Sequence, residues 1–223
     1  NKTTMLMAPT GRASKRLEEQ TGQPASTIHR ALEMGYSKGK LGFNKNEHNQ
    51  LDADVIIIDE VSMLDTFLSH SLLKAVKLGS KVIFVGDKDQ LPSVGAGNVF
   101  GDLISSGAFP TTKLQVIHRQ GEDSSIIKLA HAINDEEAEE TIFNKTKNYS
   151  FIPCQPSLVG DAIDQIVNLA IKRGFKKDDV QVLGAMYNGQ GGITHLNDIL
   201  QDVMNPLSAK TKVIEAHNES FRI

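Results

Sequence analysis

Apolar residues in this chain fall into short continuous runs, separated by longer stretches of helical period. The clearest run is Val55-Ile56-Ile57-Ile58, four β-branched residues in succession. Such a run, without polar alternation, predicts a strand buried on both faces, placed at 54–59. It ends abruptly in two carboxylates, Asp59-Glu60. A helix is predicted over 65–78, closed by Gly79-Ser80, and a second apolar strand over 81–86. Upstream lies a strand at 4–8, broken by Pro9-Thr10-Gly11 and followed by a helix over 12–20. A short helix is expected at 27–34, with Ser26 or Thr27 as its N-cap. Residues 35–50 are polar and rich in Gly, Lys and Asn, which predicts a surface loop or hairpin.

After a Gly-rich loop, the pattern predicts a helix at 98–106, a strand at 113–117 and a helix at 124–134. Residues 135–148 are acidic and weakly periodic, as a connection would be. A second alternation follows, with strands at 150–152 and 180–183 and helices at 158–173 and 192–203. Residues 212–215 and 221–223 also read as strands. Strands alternating with helices predict an α/β fold, a parallel sheet with helices on both faces. The domain boundary is expected between 119 and 149.

The helix joining 54–59 to 81–86 makes these strands parallel, and such crossovers are almost always right-handed. Asp59-Glu60 and residues 86–90 therefore emerge at one sheet edge, where open α/β sheets bind ligands. Asp59 suits a role in holding Mg²⁺, and Glu60 one in orienting or deprotonating a water. Gly86 permits close backbone approach. Gln90 is a neutral group able to contact a terminal phosphate and the water beside it. Taken singly, these residues also fit a solvated strand end and an ordinary polar loop.

Composition narrows the classes. The chain has 223 residues, 39% hydrophobic and 23% charged, enough for one large or two small domains. Net charge is −3, so general attraction to nucleic acid is not built in. Any such contact needs a local patch such as Arg12, Lys15 and Arg16, which otherwise form a solvated helix face. The single cysteine, Cys154, excludes an internal disulfide and suits a cytoplasmic protein. No apolar run approaches the roughly 18 residues of a membrane span. The seven histidines lie singly, without metal-ligand spacing.

The motif set is specific. Asp-Glu-Val-Ser-Met (59–63) and Gly-Asp-Lys-Asp-Gln-Leu-Pro-Ser-Val-Gly-Ala-Gly (86–97) resemble motifs II and III of superfamily 1 helicases, in their RecD/TraA branch. Residues 8–17 are similar to motif Ia, and Thr27-Ile28-His29-Arg30 to the segment after it. Ile117-His118-Arg119-Gln120 resembles motif IV, where the family usually has an aromatic before the Arg. Met186-Tyr187-Asn188-Gly189 and Leu196-Asn197 resemble the opening of the second motor domain.

The resemblance implies a RecA-like P-loop NTPase motor fold. The first motor domain would span 1–119, a connection 120–148, and the start of the second motor domain 149–223. It implies an ATP-dependent DNA helicase that uses ATP and Mg²⁺ and moves 5′→3′ on single-stranded DNA as the cleft between its domains closes and opens. A role in DNA recombination and repair is expected, with nuclease-complex subunits as partners. Arg119 would be an arginine finger for the γ-phosphate, a group worth about a thousandfold or more in rate. Pro9, Thr10, Gly11 and Arg12 would touch the DNA backbone, with His29, Ser93 and Tyr187 as further contacts. Tyr187 would either stack on a base or pack in the core.

One part of the pattern is broken. The chain has no G-x-x-x-x-G-K-[ST] loop. Lys2-Thr3-Thr4 resembles the tail of one but runs into a strand rather than opening a helix. The expectation is an internal fragment that lacks the Walker A loop and hydrolyses ATP poorly alone. The competing readings are a non-catalytic DNA-binding or scaffold module on a helicase fold, the helicase part of a conjugative relaxase, and an RNA motor.

Overall fold

Strand β1 (Thr4–Ala8) opens the fold of the computed structural model, which describes residues 2–37, 40–114, 124–137, 139–208, 211–216 and 219–222. Helix α1 (Gly11–Thr21), strand β2 (Ala25–Thr27) and helix α2 (Ile28–Ala31) follow. Strands β3 (Met34–Ser37) and β4 (Lys40–Phe43) form an antiparallel hairpin. Then come β5 (Val55–Ile58), α3 (Thr66–Ala75), β6 (Lys81–Phe84) and α4 (Val99–Ser105). The chain divides into two compact units, Asn1–His118 and Arg119–Ile223.

In the first unit the sheet order is β2-β1-β5-β6, and every pair is parallel. β5 lies inside the sheet, which explains its uninterrupted apolar run. Ile56 and Ile58 are fully buried with Met7, Ile28, Leu32, Val61, Leu64 and Leu72. Each such side chain contributes about 1.5–3 kcal/mol by leaving water. The sheet and its helices make this unit a RecA-like α/β motor fold.

Several expectations needed correction. β2 escaped the periodicity, because three half-buried residues on a sheet edge leave no pattern. The helix expected at 27–34 stops at Ala31, since Glu33 adopts a left-handed φ of 53° and turns the chain into the hairpin. Residues 113–114 form no strand, and 115–117 lie outside the described residues.

The second unit contains α5 (Ser125–Asn134), α6 (Val159–Lys172), α7 (Ile193–Met204) and an antiparallel pair, β7 (Val213–Ala216) with β8 (Glu219–Arg222). Helices α6 and α7 pack together, and Val167 of α6 and Leu196 and Leu200 of α7 are buried. The strands expected at 150–152 and 180–183 are absent: these residues are irregular and mostly exposed. β-branched residues make a strand only where a neighbour completes the ladder. Phe151 instead packs on Phe143, ring centroids 4.6 Å apart. Among the described residues, no helix is long and apolar enough to cross a membrane.

Candidate active site

Because β1, β5 and β6 run side by side in parallel, their carboxyl ends open at one edge. Register pairs Met7 with Ile58 and Ile58 with Phe84. The turn at Pro9-Thr10-Gly11, the Asp59-Glu60 pair and the 86–90 loop therefore leave the sheet together. The ladder continues just past the strands. The Asp59 N–H donates to the Met7 carbonyl at 2.9 Å, and the Val85 N–H to the Ile58 carbonyl at 2.8 Å.

At Glu60 the chain turns sharply. Its backbone is left-handed, φ 55° and ψ 41°, a conformation that costs a non-glycine residue about 1–2 kcal/mol. Asp59 Oδ1 accepts the Glu60 N–H at 2.9 Å and so braces the turn. A one-residue reversal leads into a single 3₁₀ turn, Val61–Met63, and leaves both carboxylates half-buried at the strand exit. Strain of this kind gathers at functional sites.

Gly86 sits tightly against the protein's own backbone. A Cβ there would lie 3.0 Å from the Val61 nitrogen and 3.3 Å from both the Ser62 nitrogen and Phe100 Cε1. The close approach expected at Gly86 thus joins the two motifs to each other. The Val61 N–H donates to the Val85 carbonyl at 3.0 Å and ties the same junction. Beside it sits Ser62, whose Oγ is buried without a hydrogen-bond partner.

The rest of the loop is held from within. The Gln90 N–H donates to the Asp87 carbonyl at 3.2 Å, and the Asp89 N–H to Asp87 Oδ1 at 3.0 Å. The Gln90 side chain is exposed at the sheet edge. The Ser93 hydroxyl donates to the carbonyls of Gly95 (2.8 Å) and Gly97 (3.2 Å), so its proton serves the loop. The Thr66 N–H donates to the Ala96 carbonyl at 3.0 Å. Gly95 and Gly97 lie against Asp65 and Thr66 with no room for a side chain. Sequence reading missed this docking of the loop onto the start of α3, although the Gly-Ala-Gly spacing was its signal.

Thr10 is the N-cap of α1, its hydroxyl accepting the Ala13 N–H at 3.2 Å. Gly11 and Arg12 are exposed in the first turn of that helix. His29 is half-buried on α2, its ring 5.9 Å from that of Phe43, which lies 6.2 Å from Phe67. Tyr187 belongs to the second unit and is 79% exposed. Arg119 lies outside the described residues, as does the rest of 117–120. Among the described residues, no three His, Cys, Asp or Glu side chains converge as a metal cage. A single carboxylate such as Asp59, completed by phosphate and water oxygens, is the donor set Mg²⁺ favours.

A family model described as an AAA domain matches residues 1–157. The ATP-dependent RecD2 DNA helicase of Deinococcus radiodurans is 39% identical over 210 residues, covering 94% of this chain and 28% of that protein. The RecBCD enzyme subunit RecD of Mycolicibacterium smegmatis is 36% identical over 154 residues, covering 61% of this chain and 27% of that subunit. The chain thus spans little more than a quarter of the length of either relative. A solved structure of Pif1 helicases at forked dsDNA aligns with a TM-score of 0.45 at 18% identity, covering 79% of this chain and 49% of that one. By the family match and the motif set, the chain belongs to the AAA-domain family, in its RecD-like superfamily 1 helicase branch.

Proposed function

We propose that this chain supplies the water-activating half of an ATP-dependent DNA helicase that moves 5′→3′ on single-stranded DNA. The observation that carries the reading is the shared exit of β5 and β6, which sets Asp59-Glu60 beside the 86–90 loop. Mg²⁺–ATP, when bound, supplies the electrophilic γ-phosphoryl group. Asp59 would hold the metal ion, and its Oδ1 also accepts the Glu60 N–H. Glu60 orients the attacking water and takes its proton, and Gln90 contacts the terminal phosphate and that water. Arg119 is the proposed arginine finger.

Pro9, Thr10, Gly11, Arg12 and His29 are proposed to follow the strand backbone, with Ser93 and Tyr187 as additional contacts. The polymer partner is single-stranded DNA, and nuclease-complex subunits are proposed as protein partners in DNA recombination and repair. A cytoplasmic location fits these roles. The Walker-type phosphate loop is not encoded in these residues. β6 is an edge strand of the described sheet, so a strand bearing that loop has a place beside the site.

The test is ATP turnover with single-stranded DNA. The isolated chain should show little, the full-length protein should show DNA-stimulated turnover, and Glu60→Gln should remove it. Robust turnover by the isolated chain would refute the proposed division of the site.

A further inference from the structure

Two unfavourable features share one turn of four residues. Glu60 is left-handed, and two residues on, the Ser62 hydroxyl is buried with no partner. Among the described residues, no other buried side-chain N or O atom lacks a partner. Buried polar groups find partners in the great majority of cases, so an orphan calls for a physical cause. Chance placement is disfavoured by the surroundings. The Ser62 backbone nitrogen lies 3.3 Å from where a Gly86 Cβ would be, so Ser62 sits at the junction of the Asp59-Glu60 turn and the 86–90 loop. The turn is pinned there by a backbone hydrogen bond from Val61 to Val85. Alanine at position 62 would keep the backbone, fill nearly the same volume and remove the orphan.

We infer that Ser62 is a positioning residue for hydrolysis: its hydroxyl gains a partner only in the nucleotide-loaded arrangement of the turn and the 86–90 loop. Ser62 thereby biases Glu60 toward its working position. A ligand shifts such an equilibrium only by binding the two arrangements unequally. The orphan hydroxyl raises the free energy of the empty arrangement relative to the loaded one. This inference rests on the proposed ATP hydrolysis at Glu60 and concerns a residue to which that reading assigns no role.

The experiment compares wild type with Ser62→Ala in the full-length protein, with Mg²⁺–ATP and single-stranded DNA. Ser62→Ala should raise the melting temperature of the nucleotide-free protein by roughly 2–4 °C. It should shrink the further rise on adding Mg²⁺–ADP with aluminium fluoride. It should lower kcat about tenfold and leave KM within about twofold, the sign of an interaction made after binding. A merely structural serine would lower the melting temperature and leave the kcat-to-KM split unmoved, and that result overturns the inference. Wild-type turnover with Ser62→Ala indistinguishable from it overturns the inference alone. No turnover by wild type overturns the nucleotide reading and, with it, the role of Ser62.

Discussion

A Cβ on Gly86 would lie 3.0 Å from the backbone nitrogen of Val61. Two loops that leave adjacent strands at the proposed nucleotide edge are therefore in direct backbone contact. Gly86→Ala needs them to give by a few tenths of an ångström, which loads the 3.0 Å bond from Val61 to Val85. A loss of about 1–3 kcal/mol is expected, read as a lower denaturant midpoint. ATP turnover in the full-length protein should fall as well, because the displaced groups are those proposed to orient water.

Glu60 presents the opposite trade. Glycine tolerates the left-handed backbone that glutamate occupies at φ 55°. Glu60→Gly should leave stability unchanged or raise it by up to about 1 kcal/mol, while abolishing turnover. Chemical denaturation of this chain beside ATPase assays of the full-length protein checks both halves. A marked loss of stability would show that the side chain, not the turn, is what the fold requires.

The start of α3 should be a stability hot spot. Asp65 caps the helix by accepting the Leu68 N–H at 2.7 Å, and the 93–97 loop docks against it. Asp65→Ala should cost about 0.5–2 kcal/mol. Gly97→Ala should cost at least as much, since it adds strain at φ 108° to a collision with the Thr66 hydroxyl. Thermal melts of both variants test the order.

The rings of His29, Phe43 and Phe67 tie the base of the β3–β4 hairpin to α2 and α3. Phe67 is 71% exposed, so Phe67→Ala should change global stability by under about 0.5 kcal/mol. Phe43 is half-buried against the core, and Phe43→Ala should cost about 1–3 kcal/mol. Amide exchange across residues 34–43 should quicken in both variants, more so for Phe43→Ala.

Acid sensitivity should include Asp54. Its carboxylate accepts the Thr3 N–H at 2.8 Å and the Thr3 hydroxyl at 3.2 Å, and these bonds hold its pKa below the ordinary aspartate value. A pKa lowered by folding gives stability that is present above the unfolded value, about 3.9, and lost as pH falls through the folded one. Asp54→Asn should flatten the decline in melting temperature below about pH 4. The effect should be small, since solvent screens so exposed a group.

Much of the first unit was legible from residue order alone. The Val55–Ile58 run, the α3 crossover and the second apolar run required parallel neighbours, because right-handed crossovers leave few topologies. That topology puts Asp59-Glu60 and Gln90 at one edge. The 150–152 and 180–183 segments show the limit of the same reasoning, since a strand is a property of pairs and, among the described residues, neither segment has a ladder partner. Tertiary structure alone decided the left-handed Glu60, the orphaned Ser62 hydroxyl and the contact of Gly86 with Val61. Each depends on how two separate segments meet in space. Periodicity records which face of an element is buried, but not what it is buried against.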